Sequence, residues 1–305
     1  MIIKIKVARK QDCMFIARGI CMALHNEPDE GQLEKIASIC RMDNVLYSYR
    51  HCMIAWAGDQ PAGICLCYDG GKYHEMRLTT FSLFKQCDIS VPEEMEDEAK
   101  EGEYYIDSLA VMPEFRRMGI ARRLIKAQLL RAQNLGYTKA TLLVDPENPI
   151  AQALYRSFGF VDDCTVNAFG QDYLKWKKML LTTDLLRKRF IHFNELIFDN
   201  KLPILPIQLS KARTYLGILS FKRKRTFFGT KKEYNFKIRI STYWIQSDEM
   251  LNNTLVHEMI HYYIHINHLK DTSTHGQLFR DMMKRINQEY GMNITISHKR
   301  TQLTS

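Results

Sequence analysis

Tyr104-Tyr105-Ile106-Asp107-Ser108-Leu109-Ala110-Val111-Met112-Pro113-Glu114-Phe115-Arg116-Arg117-Met118-Gly119-Ile120-Ala121 is the stretch that decides the fold of the first half of this chain. Its first eight residues form a near-continuous apolar strand. Pro113-Glu114-Phe115 breaks that strand, and a tight basic loop follows. From Gly119 to Leu135, Leu, Arg and Ala recur at helical spacing. A strand that runs through a short loop into a helix leaves the first helical N–H groups unpaired and pointing at the loop. Those groups and the helix dipole suit a pyrophosphate. Gly119 lets the phosphates approach the backbone closely, and Arg116, Arg117 and Arg122 add positive charge.

Before this stretch, Ile2–Val7 reads as a strand, Lys10–Leu24 and Gln32–Met42 as helices, and Val45–Ala57 and Ala62–Tyr68 as paired strands around Gly58-Asp59-Gln60-Pro61. His74–Phe84 reads as a helix. After the stretch come a strand at Ala140–Val144, a short helix at Pro149–Phe158 and two strands within Val161–Leu180. This order, the Arg116–Ala121 loop and Asn148-Pro149-Ile150-Ala151…Tyr155…Phe158-Gly159-Phe160 together resemble the GNAT superfamily of N-acetyltransferases over residues 1–178. The resemblance implies an α/β domain with a mixed, mostly antiparallel sheet flanked by helices. It implies acetyl-CoA as cofactor. Backbone groups of Leu109, Ala110 and Val111 would meet the pantetheine arm. The Arg116, Arg117, Met118, Gly119, Ile120 and Ala121 loop would hold the pyrophosphate, and Asn148 would touch the cofactor. Tyr155 would protonate the leaving thiolate.

The reaction needs a neutral amine, so a base or amine-orienting carboxylate is expected near the reactive strand. Asp107 is the candidate, with Glu103 as a weaker alternative. Asp107 also reads as a strand-end residue making a structural hydrogen bond. The acceptor is a small-molecule or protein amine that the sequence does not identify. The run Glu93-Glu94-Met95-Glu96-Asp97-Glu98 either attracts a cationic amine or is a solvated loop. His74, Glu75 and Arg77 either line the acceptor pocket or cap a surface helix.

The second half has a different character. The chain carries 43 Lys+Arg and 34 Asp+Glu, a formal net of +9, yet residues 181–305 alone hold 20 Lys+Arg against 10 Asp+Glu. The positive excess therefore lies entirely after residue 180, which suggests two units with different partners, 1–180 and 181–305. Thr182-Thr183-Asp184 reads as an N-cap ahead of a helix at Leu185–Phe198. Ile207–Ser210, Leu216–Lys222 and Lys237–Ser241 read as strands, and Leu251–His265 and Gln277–Gln288 as helices.

The helix at Leu251–His265 contains His257-Glu258-Met259-Ile260-His261. Histidines at i and i+4 share one helix face and reach one ion. Glu258 is placed to take a proton from a metal-bound water. Catalytic zinc takes three protein ligands and keeps an open position. His275, in His275-Gly276-Gln277-Leu278-Phe279, is the candidate third ligand; His265 and His268 compete, and His265 lies too far along a regular helix.

The HExxH and HGxxF spacing resembles the SprT-like family over residues 185–298, supported by Phe193-Asn194…Phe198, Leu202-Pro203, Arg213…Leu216-Gly217 and Ile238-Arg239-Ile240-Ser241. That resemblance implies an α+β zinc metallopeptidase domain with Zn2+ on His257, His261 and His275 and Glu258 as general base. Its substrates would be peptide bonds, in some members those of DNA-bound proteins. A non-catalytic binding module is the alternative. Residues 165–305 contain no Cys, so the C-terminal zinc ribbon of some members is missing.

Lys222-Arg223-Lys224-Arg225, Phe227-Phe228-Gly229 and Lys231-Lys232 suggest a basic, aromatic hairpin able to meet DNA, or else a strand edge guarded by charge. The eight cysteines all lie within the first 164 residues without CxxC pairs and read as reduced buried thiols. No apolar run is long enough for a membrane span or a signal peptide, so the expected location is cytoplasmic.

Overall fold

A computed structural model describes residues 2–225, 231–245 and 247–296, with only the backbone described at Lys231 and Lys232. The chain forms two compact units, Met1–Leu180 and Leu181–Ser305.

The first unit runs β1 (Ile3–Val7), α1 (Cys13–Ala23), α2 (Glu30–Cys40), β2 (Cys52–Ala57), β3 (Gln60–Asp69), α3 (Tyr73–Gln86), β4 (Glu103–Val111), α4 (Ile120–Asn134), β5 (Lys139–Val144), α5 (Pro149–Arg156), β6 (Val161–Ala168) and β7 (Gln171–Met179). Its sheet has the order β1-β2-β3-β4-β5-β7-β6. Only β4 and β5 pair in parallel. Side chains of α1, α2 and α3 pack on one face with Ile54, Ile64, Leu66, Tyr68 and Tyr105. The other face carries α4 and α5 with Cys65, Cys67, Ile106, Leu142 and Trp176. Neighbouring strand residues thus fill opposite cores, as a pleat requires.

The sequence expects a strand from Val45, but β2 begins at Cys52 after a 3-10 turn at Tyr49–His51. Val45, Leu46 and Tyr47 are buried as an irregular segment, and the Leu46 N–H donates to Thr80 Oγ1 at 2.9 Å. A short apolar run does not distinguish ladder pairing from simple burial.

The second unit runs α6 (Thr183–Phe198), β8 (Ile207–Ser210), β9 (Gly217–Arg225), β10 (Lys231–Ser241), α7 (Asp248–Ile266) and α8 (Gln277–Tyr290). Thr182 caps α6 by accepting from the Leu185 N–H. Buried Asn194 brackets Leu202, donating to its carbonyl at 2.9 Å and accepting from its N–H at 3.0 Å, and so turns the chain after α6. The sheet order is β8-β10-β9, with β8 parallel and β9 antiparallel to β10. Both hairpin arms are longer than the sequence suggests. Lys222–Arg225 pair with Tyr234–Lys231 as the expected basic hairpin, and the expected strands stop short there because mostly charged residues show no apolar alternation to read. Phe227-Phe228-Gly229 lie outside the described residues. No helix among the described residues is long and apolar enough to cross a membrane.

Candidate active sites

In the first unit β4 loses one of its two partners halfway. Glu103–Ile106 pair with Lys139–Leu142 of β5, and there the pairing stops although both strands continue. Opposite β3 the register slips: Cys67 faces Ile106 and Leu66 faces Ser108, so Asp107 is the extra, bulged residue. The two strands fork beyond this bulge. Leu109, Ala110 and Val111 stay paired to β3 through Cys65, Ile64 and Gly63, and their other backbone edge faces the fork.

Below the fork's start, buried Glu103 accepts from Lys175 Nζ at 2.8 Å, Lys139 Nζ at 3.0 Å and Thr141 Oγ1 at 3.1 Å. Burial raises its carboxyl, and the two lysines overcome that and hold it below the usual range. Glu103 is therefore a structural clamp on β4, β5 and β7 rather than the alternative base.

The loop after β4 has the expected shape. Arg117 and Gly119 take the left-handed backbone at φ 61° and 73°, and Gly119 caps α4 without a side-chain acceptor. Arg116, Arg117, Met118 and Gly119 are exposed, while Ile120 is buried and Ala121 half-buried. The first N–H groups of α4 thus open on a surface free of competing side-chain caps. Arg116 Nε donates to the Val111 carbonyl at 3.2 Å, and Arg122 lies over the Phe158 ring. Asn148 caps α5 through Oδ1, which accepts from the Ala151 N–H at 2.9 Å. Tyr155 is buried against Phe160 in the core on the α4 face, and burial pushes its phenol well up.

Asp107 lies on the opposite face. Its Oδ2 accepts from Tyr68 OH at 2.5 Å and its Oδ1 from Ser108 Oγ at 2.5 Å. Burial pushes its carboxyl up, and the two hydroxyls oppose that. Beside it the rings of Tyr68, Tyr73 and Tyr105 stand 5.8 to 6.4 Å apart around a second acid, Glu98, which accepts from Tyr105 OH. Burial first and the Asp107 charge second raise Glu98 to about 7.

Glu98 belongs to the acidic run that reads as a solvated loop or an amine lure. The run divides: Glu93, Glu94 and Glu96 are exposed while Glu98 is buried. Arg77 straps it down, donating to the carbonyls of Met95 and Glu96 and pairing with Asp97 at 3.2 Å. His74 also pairs with Asp97. Glu98, Tyr68 and Tyr105 escaped the sequence reading because nothing in a run of acids marks the one that turns inward.

In the second unit α7 and the loop before α8 bring three imidazoles together. The Nε2 atoms of His257, His261 and His275 form a triangle with edges of 3.1, 3.1 and 3.2 Å. A tetrahedral zinc with nitrogen ligands at about 2.0–2.1 Å asks for edges of about 3.3 Å. With all three Nε2 atoms unprotonated, the form that binds metal, their lone pairs converge on one point. Burial holds His261 down to about 3, so it is neutral, the form that binds metal. His257 Nδ1 meets the Thr295 carbonyl at 3.0 Å, which fixes Nε2 as the inward nitrogen. All three imidazoles rest on fully buried Phe279, 4.5 to 4.9 Å between ring centres.

The HGxxF pattern acquires a physical reason here. Asp271 Oδ2 accepts from the Phe279 N–H at 2.9 Å, capping α8. A Cβ at residue 276 would meet Asp271 Oδ1 at 2.0 Å, so any other residue beside His275 displaces the carboxylate that caps α8. His265 is outside the triangle: its Nδ1 meets Glu233 Oε2 at 2.7 Å and its ring lies on Phe221. His268 lines the same cleft.

Glu258 points from α7 toward β9. Its Oε2 accepts from the Leu219 N–H at 2.6 Å, and burial raises its carboxyl to about 7. Gly217 makes room for it, since a Cβ there would meet Thr254 Cγ2 at 2.7 Å and Glu258 Cγ at 3.0 Å. The triangle and Glu258 line a cleft of about 960 Å³ along β9, the edge strand.

Residues 22–160 match the acetyltransferase (GNAT) family model and residues 186–298 the SprT-like family model. A solved acetyltransferase structure is similar with 28% identity and a TM-score of 0.51, covering 58% of this chain and all of that one. The human DNA-dependent metalloprotease SPRTN is 33% identical over 126 residues, which is 40% of this chain and 24% of that protein. Its mouse counterpart is 31% identical over 124 residues, with the same shares. The chain spans about a quarter of the length of these curated relatives. It thus joins a domain of the acetyltransferase (GNAT) family to a domain of the SprT-like family.

Proposed function

We propose that this chain is a bifunctional enzyme: an acetyl-CoA-dependent N-acetyltransferase, and a zinc-dependent peptidase acting on DNA-bound proteins. In the first domain the N–H groups at Arg117–Ala121 hold the pyrophosphate, and the free edge of Leu109–Val111 in the fork takes the pantetheine arm. Asn148, capping α5 through Oδ1, keeps its amide N–H groups for the cofactor. Asp107 takes the proton of the acceptor ammonium. The amine nitrogen attacks the thioester carbonyl, the C–S bond breaks, and Tyr155 returns a proton to the thiolate. The observation that carries this reading is the bulge at Asp107 where β4 and β5 separate.

In the second domain His257, His261 and His275 hold the ion, whose triangle fits zinc. Bound zinc would bring its water to a pKa of about 7 and polarise a scissile carbonyl. Glu258 accepts the water's proton and passes it to the leaving nitrogen. The exposed end of β9, Lys222–Arg225, supplies phosphate contacts for DNA. Eight free cysteines suit a reducing compartment, the cytoplasm.

The test combines metal analysis of the full chain with acetyl-CoA turnover on an amine panel and peptide cleavage with and without DNA. Stoichiometric zinc, turnover abolished by Tyr155→Phe and cleavage abolished by Glu258→Gln with zinc retained support the reading. Zinc binding without any cleavage replaces the peptidase with a binding module.

A further inference from the structure

We propose that a cavity at the carboxyl end of α4 binds a small phosphate-type oxyanion, either the free ion or the phosphate of a small monoester. The site stands independently of the function proposed above; only its effect on acetyl transfer rests on that reading.

The cavity holds about 190 Å³, and His51, Tyr68, Asp69, Lys72, Arg131 and Tyr137 are in its wall. Drug-sized ligands take pockets of about 300–1,000 Å³, so this space suits one tetrahedral ion and a few waters rather than a nucleotide or a peptide. It is also separate from the Gly119 loop. Gly119 precedes α4 and Arg131 stands in its last turn, so roughly 18 Å of helix lies between them.

Positive charge marks the cavity. Arg131 Nη2 donates to the Arg50 carbonyl at 3.2 Å, but its Nη1 is buried and meets no acceptor among the described residues. Lys72 lines the cavity from the start of α3, and among the described residues no carboxylate pairs with it or with Arg131. Both charges are felt at His51. Burial first, with Arg131 and Lys72 adding to it, holds its imidazole low, against the Leu46 carbonyl that Nδ1 meets at 3.0 Å.

One acid shares the wall. Asp69 is already met by two donors, the Gly71 N–H at 3.0 Å and the Tyr137 hydroxyl. The carboxyl end of α4 and the amino end of α3 both reach the cavity, and their dipoles oppose one another. The guanidinium and the ammonium therefore set the sign. A buried guanidinium donor without an acceptor is costly, and an oxyanion supplies one. Arg131 and Lys72 come from the ends of two different helices, which suits an ion with oxygens on every side better than a flat carboxylate.

The cavity also touches the acceptor side. Tyr68 is part of its wall, its ring centre is 5.3 Å from that of His51, and its hydroxyl donates to Asp107 Oδ2. An anion seated here bears on the residue that holds that carboxylate.

The experiment measures binding to the full chain with CoA present. Equilibrium dialysis with radiolabelled inorganic phosphate gives the affinity, and hydrogen exchange gives the place. Phosphate should slow exchange across residues 69–76 and 128–137. Lys72→Gln and Arg131→Gln should each weaken that binding at least tenfold. Lys72 is exposed, so its variant decides the matter if Arg131→Gln does not fold. Glycerol phosphate that binds as well as the free ion makes a monoester the ligand, and weaker binding makes it the free ion; both support the site. Acetate bound as tightly as phosphate, or exchange unchanged across both segments, overturns the proposal. Where amines are acetylated, saturating phosphate should change the amine KM at least threefold in the parent and not in Lys72→Gln. A parent KM that stays fixed overturns the link through Tyr68. A chain that binds phosphate here and acetylates no amine overturns the function proposed above and leaves this site standing.

Discussion

The backbone N–H of Leu219, on the edge strand of the small sheet, donates to Oε2 of Glu258, the residue next to the first histidine of the triangle. This contact couples the position of β9 to that of the carboxylate. It exists because residue 217 has no Cβ, which lets the strand pass over α7.

Gly217→Ala therefore pushes the strand away from Glu258. The overpacking should cost about 1–3 kcal/mol. Peptide cleavage should fall roughly tenfold or more with zinc content unchanged, since a ~1 Å misplacement of a catalytic group is costly. Metal analysis beside a cleavage assay checks this; cleavage at the parent rate would disprove the coupling.

Glu98 links the acceptor side to pH. Its folded carboxyl titrates at about 7, because burial and Asp107 disfavour its charge. In the unfolded chain a Glu titrates near 4.3. Between those values the folded state keeps a proton that the unfolded state has lost, so stability falls as pH rises from about 4.5 to 7 and levels off above. The contribution is of order 3–4 kcal/mol. Glu98→Gln keeps an acceptor for Tyr105 and should flatten this slope. Urea unfolding at pH 5 and pH 7.5 measures it, and equal slopes in parent and variant would refute the assignment.

Asp107→Asn and Tyr155→Phe separate the two ends of acetyl transfer. Each should lower kcat about 100- to 10,000-fold, the range of general acid–base groups. The Asn variant should also lose the rise of kcat/KM with pH that a base imposes. Pre-steady-state acetyl-CoA binding should remain in both, since neither side chain supplies the backbone N–H groups at the start of α4. A Tyr155→Phe variant that keeps parental kcat would remove that residue from the chemistry.

Lys222, Lys224 and Arg225 are exposed at the end of β9, whereas Arg223 is tied to Glu233 at 2.8 Å. Replacing the first three with Ala should reduce the slope of log K against log salt for DNA by roughly 2–3. The same change at Arg223 should instead loosen the Glu233–His265 pairing beside the cleft. Titrations at several salt concentrations decide; an unchanged slope for the triple variant would exclude this strand end as the DNA contact.

Much of both sites was legible because it depends on spacing along one element. The turn of Arg116–Gly119 into α4 and the i, i+4 histidines of α7 are local geometry, and local geometry is written in the order of residues. His275-Gly276 was legible as a pattern, but its cause was not: the glycine makes room for Asp271, five residues earlier. Glu98 and the Leu219 N–H were invisible. One is a single inward turn within an acidic run, and the other is a backbone group whose importance comes from a helix thirty-nine residues away. The basic hairpin at Lys222–Arg225 was legible from its run of charge, but how far its strands extend was not, because only apolar alternation reports strand length.

The clamp at Glu103 gives the fork a mechanical character. β4 and β5 are riveted together at one end by two lysines and a threonine, and beyond Ile106 and Leu142 they part, β4 staying with β3 and β5 with β7. A rivet at the vertex acts as a fulcrum. A small rotation there would be amplified toward Val111 and Val144, so the opening of the fork would answer to an ion cluster that lies outside it.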